Sequence, residues 1–417
     1  MKGRAMKHIL MLLFKDIHYD ARVQREAIAL AEAGYQVTIT CLKEYDFPPD
    51  DLHEKIIVHR ISITSKKIRG SISTSPESKQ RLSLKSLLFR VVRTPVIKVL
   101  KDRWAFNEFY KKVRDYIDKE KLSIHAVHAH DLNTLSAGYK LANLHKSKLI
   151  YDSHELFNEM SGRNELDRKV GYREEGKLIE KIDSLIVVNP YIANLFEQRY
   201  GKLSTTIIQN IPLVELGEEL DEAPHNNYWR ETYKLTDDDI ILLYQGGINP
   251  ERGLEECIEA LTLLPSIYKL VLLGDGRLKN KLIESAKEHQ LDDRVFFHKQ
   301  VPAAHVHWYT KQADVGLVMY RNLSKNNYYS SPNKIFEYLL AGIPTVASDH
   351  PGKNYLIKKE ETGVCIEETP EAIKDGVLHV ISHYEEIKKT CLIKRHNYTW
   401  EKEQQKLIQM YDKLLKA

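Results

Sequence analysis

Short apolar runs rich in Val, Ile and Leu recur along this chain, separated by stretches whose apolar residues repeat with helical spacing. A strand buried on both faces reads as a continuous apolar run, so the alternation predicts parallel sheets covered by helices. In the first half it places strands at 8 to 14, 37 to 42, 56 to 61, 126 to 130, 148 to 153, 184 to 189 and 205 to 210. Between the first two, Val23, Ala27, Leu30 and Ala31 mark a helix, and Gly34 stands where a carboxyl-terminal cap belongs. A second series follows, at 240 to 246, 269 to 274, 294 to 298, 314 to 319 and 344 to 348. The expected fold is α/β: two Rossmann-like, doubly wound domains facing across a cleft, where ligands meet the carboxyl ends of the strands.

Punctuation sets the domain limits. Residues 211 to 238 carry Pro212, Pro224 and many acids without a sustained period, and read as a linker between domains at 1 to 210 and 239 to 397. The end of the chain, 398 to 417, includes an amphipathic helix expected to pack across the join. Between about 66 and 121 no strand is evident, so a helical insertion is expected there. Within it, 81 to 103 interleaves Arg81, Lys85, Arg90, Arg93, Lys98, Lys101 and Arg103 with leucines and valines, against the single acid Asp102. Such a stretch fits an anionic membrane surface; a helical insertion with solvated cations is the alternative.

Charge and cysteine usage narrow the class. The 417 residues hold 62 basic and 58 acidic side chains, a net charge of +4, too even for a protein built around nucleic-acid phosphates. Four scattered cysteines suggest neither a disulfide framework nor a zinc ribbon and fit a reducing cytoplasm. The apolar run Ile9 to Phe14 stops at Lys15-Asp16 without a small-residue cleavage site, so it reads as a first strand rather than a signal peptide. No apolar run approaches the roughly 18 residues of a membrane-spanning helix, which leaves peripheral contact as the expected membrane relation.

Candidate chemistry lies after strand ends. After Gly246-Gly247, a helix is expected to open with Asn249 as cap, Pro250 at its first position and Arg252 at its third; Ser331, Pro332 and Lys334 repeat the device. A capping box would place Glu or Gln at that third position, whereas here each carries a cation. A cation at a helix N-terminus costs up to about 1 kcal/mol unless an anion sits there, so two such ends converging make a diphosphate site. Glu337, one turn from Lys334, is placed either to accept hydrogen bonds from a diol or to form an ordinary i, i+3 surface ion pair with Lys334, and position alone does not separate the two. In the first half, His128 and His130 share one side of a strand, with His130 nearer the carboxyl end; Asp20, Arg22, His154 and Glu155 follow neighbouring strands and are expected on the same rim.

Other motifs fall away. No Gly-x-x-x-x-Gly-Lys-Ser/Thr loop exists, and Gly274-Asp275-Gly276 lacks the third glycine of a dinucleotide fingerprint. Asp237-Asp238-Asp239 precedes a strand and reads as a turn, while His125, His128 and His130 are too close on one strand to surround zinc unaided, so no metal site is expected.

The chain resembles the GT-B glycosyltransferases, specifically the retaining enzymes of family 4 (glycosyl transferases group 1), over almost its whole length. The matching stretches are Asp20-Ala21-Arg22-Val23, Ala33 to Thr38, His128-Ala129-His130-Asp131 and Tyr151 to Glu155, then Tyr244 to Gly247, Glu251-Arg252-Gly253, Leu272 to Gly276 and Ser331 to Tyr338 with Ala341 to Pro344. The resemblance implies a nucleoside diphosphate sugar, UDP- or GDP-linked, as substrate and no cofactor. It implies a diphosphate held by Arg252 and Lys334 beside Gly246 and Gly247, a ribose on Glu337, and His130 against the transferred sugar. Two positions depart from the pattern: Tyr329 stands where the family has a second glutamate, and Gly247 where it commonly has arginine. Ser330 and Ser331 are the candidate replacements. The expected acceptor is a glycan or lipid-linked hydroxyl in polysaccharide or glycolipid synthesis, on the acceptor-side N-terminal domain. A sugar-nucleotide 2-epimerase and a non-catalytic glycan-binding subunit are the alternatives on the same scaffold.

Overall fold

The structure is a computed structural model that describes residues 6–44, 51–64, 95–214 and 227–416. The chain divides into two compact units, Met1–Ile208 with Gln404–Ala417, and Gln209–Glu403.

The first unit is built on a seven-stranded parallel sheet of order β3-β2-β1-β4-β5-β6-β7. Its strands are β1 His8–Leu12, β2 Gln36–Leu42, β3 Ile56–Ile61, β4 Ala126–His130, β5 Lys148–Ser153, β6 Ser184–Val187 and β7 Thr205–Ile207. All five residues of β1 are buried, as a strand covered on both faces requires. β1 pairs with both β2 and β4, so the strand order reverses beside it. Helix Ala21–Glu32 packs Val23, Ala27, Leu30 and Ala31 inward and is capped by Asp20, whose carboxylate accepts from the Val23 amide at 3.2 Å. Gly34 follows with φ +93°, the left-handed stop expected of it.

Of the expected insertion, residues 66–94 lie outside the described residues, and with them most of the basic stretch 81–103. The remainder opens helix Pro95–Glu120, which buries Ala105, Phe109, Val113 and Ile117 at four-residue spacing. Among the described residues, no helix is long and apolar enough to cross a membrane.

The second unit carries a six-stranded parallel sheet, β10-β9-β8-β11-β12-β13. Its strands are β8 Ile240–Gln245, β9 Tyr268–Leu273, β10 Val295–His298, β11 Val315–Val318, β12 Thr345–Ser348 and β13 Gly363–Ile366. β13 was not anticipated: it is a four-residue edge strand, only partly buried, and so lacks the continuous apolar run that marks the others.

The limits of the units also differ from the expected ones. The boundary falls at 208/209, and the supposed linker holds helix Tyr228–Tyr233. Trp229 of that helix is fully buried and donates its indole N–H to the Tyr309 carbonyl at 2.9 Å. Burying such a side chain contributes about 2–3 kcal/mol, which ties the segment to the second unit. From Gln404 onward the final helix, Trp400–Lys416, belongs to the first unit, where Tyr411 bonds His128 and Asp412 accepts from the Tyr35 hydroxyl.

Candidate functional site

In the second unit the loops after β8 and β9 touch. Gly246 has φ +112° and Gly274 φ +147°, and a Cβ on Gly274 would stand 2.0 Å from the Gly246 carbonyl oxygen, so only glycine fits that crossing. A cavity of about 290 Å³ opens there, lined by Gln245, Gly246, Gly247, Gly274, Val301 and Glu337. Gln245, the last residue of β8, accepts from the Thr310 hydroxyl at 2.8 Å and donates from Nε2 to Glu337 Oε2 at 2.5 Å. Thr310 thus fixes the amide, and the amide fixes the carboxylate at the cavity wall.

Three cations gather around two aromatic rings beside this cavity. Lys334 Nζ stands 3.6 Å from the Tyr244 ring centroid and 5.8 Å from that of Tyr320. The Arg252 guanidinium lies 4.3 Å and Lys353 Nζ 4.6 Å from the Tyr320 centroid. Ring faces attract cations but do not neutralise them. Burial, with the Arg252 charge added to it, pushes the Lys334 ammonium well below the ordinary lysine range. The same causes bring Lys353 down to about 7. Lys353 is enclosed: its ammonium donates to the Asn327 carbonyl and lies 3.5 Å from the Ser330 hydroxyl.

The backbone that presents these cations corrects the expected symmetry. Lys334 is on a helix, Asn333–Ala341, capped by Pro332, and is its second residue rather than its third. Arg252 is not on a helix. The chain takes left-handed conformations at Glu251, φ +70°, and Gly253, φ +61°, so the helix begins only at Leu254. The two helix openings expected from the sequence are therefore one helix N-terminus and one tight turn. The Ser331 hydroxyl donates to the Gly352 carbonyl at 2.8 Å, and the Ser330 hydroxyl faces the Asn327 carbonyl at 3.4 Å. Both serines thereby shape the loop beside Lys353.

In the first unit, His128 and His130 are fully buried at the carboxyl end of β4, with ring centroids 4.2 Å apart. The register sets His130 opposite Asp152 on β5. Burial and the neighbouring His128 hold His130 down to about 3, so it is neutral. His154 goes the other way: burial opposes its charge, but the Asp152 and Asp131 carboxylates outweigh that and raise it to about 9. Charged His154 carries protons on both nitrogens, and its Nε2 lies 3.0 Å from both His130 Nδ1 and Asp152 Oδ2. His130 therefore accepts at Nδ1 and carries its own proton on Nε2. That nitrogen is buried and has no hydrogen-bond partner among the described residues.

Arg22, expected on an open rim, is instead enclosed, because two carboxylates draw it inward: it pairs with Glu26 at 3.0 Å and Asp152 at 3.2 Å and donates to the Ile208 carbonyl. Asp20 is likewise buried, capping its helix and pairing with Lys15 at 2.7 Å; burial opposes its charge, yet His154 and Lys15 hold it at about 2. Glu155 remains partly exposed, its carbonyl accepting from the Ser153 hydroxyl at 2.7 Å. Among the described residues, Glu26, His128, His130 and Asp152 bring four metal-ligand atoms within 4.8 Å of one another. Arg22 already supplies positive charge to both of those carboxylates, which disfavours a cation there.

Sequence reasoning missed Lys353, Gln245 and Tyr411. The first two follow or end a strand at the carboxyl side, which is the signal that would have found them. Tyr411, which bonds His128 Nδ1 at 2.9 Å from the end of the chain, left no such mark.

Comparison with known proteins gives these sites a context. The profile of Glycosyltransferase Family 4 matches residues 21–211, and that of Glycosyl transferases group 1 matches residues 226–391. A lipopolysaccharide 1,2-N-acetylglucosaminetransferase of Salmonella typhimurium is 25% identical over 155 residues, 34% of this chain and 40% of that one. The match thus spans well under half of that relative's length. A GDP-mannose-dependent α-(1-6)-phosphatidylinositol dimannoside mannosyltransferase of Mycobacterium tuberculosis is 22% identical over 68% of this chain and 72% of its own. An Anabaena protein solved in complex with UDP superposes with a TM-score of 0.71 at 13% identity, covering 98% of this chain and 100% of that one.

Proposed function

Since the chain belongs to the group 1 glycosyltransferases of the GT-B fold, we propose that it moves a sugar from a nucleoside diphosphate donor to an acceptor hydroxyl with retention of anomeric configuration. The observation that carries this reading is the pair Arg252 and Lys334, two cations beside one cavity, neither of them ion-paired among the described residues. A diphosphate supplies the missing negative charge. The ribose diol then meets Glu337, whose carboxylate is aimed by Gln245.

Departure of the diphosphate places growing negative charge where Arg252, Lys334 and the first amides of helix Asn333–Ala341 already point, so they favour the transition state over the ground state. Because protein cations do this, the proposed reaction needs no metal and no cofactor. The leaving phosphate takes the acceptor's proton, and His130 donates from Nε2 to a hydroxyl of the transferred sugar. Asp20, Arg22, His154 and Glu155 act on the acceptor side chiefly by holding His130 and its strand-end loops in place.

The two relatives act on a lipopolysaccharide and a phosphatidylinositol mannoside by name, which supports a glycan or lipid-linked acceptor. UDP in the Anabaena structure and GDP-mannose in the mycobacterial name frame the donor as a UDP- or GDP-sugar. Incubation with a panel of nucleotide sugars, scoring free nucleotide, epimerised donor and glycosylated product, tests the proposal. Acceptor-dependent product lost in Lys334→Ala and Glu337→Ala supports it; epimer formed without acceptor overturns it.

A further inference from the structure

Outside both sites, a cavity of about 450 Å³ in the second unit is walled by β13 and by helices Pro370–Ser382 and Tyr384–Lys394. Its charged and imidazole groups are His379, His383, Glu361, Glu386 and Lys358. Lys358 is already paired with Asp349 at 2.8 Å, which leaves two carboxylates and two imidazoles. That chemistry suits a metal ion rather than an anion. The cavity also lies where helix Pro370–Ser382 ends, and the carbonyl end of a helix favours positive charge.

His379 and His383 are both exposed, on the last turn and the cap of that helix, with ring centroids 4.5 Å apart. Histidines at i and i+4 share one face and offer two nitrogens to one ion, each at about 2.0–2.1 Å. The second ring is also fixed in its tautomer. His383 Nδ1 lies 3.0 Å from the His379 carbonyl oxygen, which can only accept, so Nδ1 carries the hydrogen and the lone pair is on Nε2. The Ser382 hydroxyl donates to the same carbonyl at 2.8 Å. One ring nitrogen anchored to a carbonyl while the other stays open is how metal-binding imidazoles are held. Among the described residues, no third His, Cys, Asp or Glu ligand atom lies within 4.8 Å of both rings. Glu386, exposed on the next helix, reaches them by a change of rotamer, whereas Cys365 is partly buried on β13 and has a single rotatable bond.

We propose that His379 and His383, completed by the Glu386 carboxylate and water, bind a divalent transition-metal ion of the zinc class. Two imidazoles and one carboxylate offer too few oxygens for calcium or magnesium. The ion fastens the end of one helix to the start of the next across the break at His383. It takes no part in sugar transfer, and its test needs no turnover.

The full-length chain, stripped of metal, is titrated with zinc in competition with a chromophoric chelator, and separately with cobalt for its absorption spectrum. Saturable zinc binding that magnesium does not displace is expected, with affinity falling about tenfold or more in each of His379→Gln and His383→Gln. Both histidines are exposed, so the circular dichroism of the metal-free variants should match the wild type. Zinc should raise the melting temperature of the wild type and not that of the double variant. Equal zinc affinity in wild type and double variant assigns binding to other side chains, the buried Glu26, His128, His130 and Asp152 included, and overturns the proposal. So does the absence of saturable binding, or a thiolate-to-cobalt charge-transfer band that Cys365→Ser abolishes.

Discussion

Lys334 holds its ammonium 3.6 Å from the centre of the Tyr244 ring, and among the described residues no carboxylate lies within ion-pair distance of it. A buried amine with no carboxylate at ion-pair distance is costly to the folded chain. Lys334→Met is therefore expected to raise unfolding free energy by on the order of 1 kcal/mol at neutral pH, while transfer falls about 10²–10³-fold. Denaturant melts and initial rates on the same preparation check both halves. A variant that is destabilised and still active would show the amine to be structural.

The pH dependence of nucleotide binding follows from Lys353. Its folded value near 7 means that it is about half charged at neutral pH when the site holds no anion. A diphosphate favours the charged form, so binding above pH 7 takes up protons, and affinity falls as pH rises from 7 toward 9, by at most about tenfold per unit. Calorimetry in buffers of different ionisation heat should record that uptake in the wild type and less of it in Lys353→Met. Affinity constant across this range would contradict the argument.

His154 makes a stability prediction of opposite form. Its folded value of about 9 exceeds that of a free histidine, 6.5. The stabilisation is thus fully present below pH 6.5 and is lost as pH rises through about 9. The stability gap between wild type and His154→Gln should accordingly be largest at pH 6 and shrink toward pH 9.5, as read from urea titrations at each pH. The same variant replaces the charged imidazolium that faces His130 Nδ1 with a neutral amide, so turnover is expected to fall more than donor affinity.

Gly274→Ala tests the loop crossing. Its φ of +147° and the 2.0 Å approach to the Gly246 carbonyl leave no room for a methyl group. The loops must part, with an expected loss of about 2–4 kcal/mol and of the melting-temperature rise that UDP or GDP would otherwise give. Unchanged nucleotide stabilisation would show that the crossing does not shape the site.

Strand positions were readable because buried parallel strands announce themselves as apolar runs, and β13 was missed because a short edge strand does not. Arg252 and Lys334 were readable as residue types out of place, though not their backbone: left-handed conformation at Glu251 and Gly253 broke the helix expected around Arg252. Arg22 read as a rim residue because it follows the first strand, whereas Glu26 and Asp152 together hold it inside. Tyr411 is 283 positions from His128, a pairing that no local pattern encodes.

The most direct test is a crystal structure with UDP or GDP bound. The account predicts diphosphate oxygens within about 3 Å of Lys334 Nζ and the Arg252 guanidinium, with the ribose hydroxyls on Glu337. A nucleotide bound in the second unit away from these three side chains, or in the first unit, would contradict it.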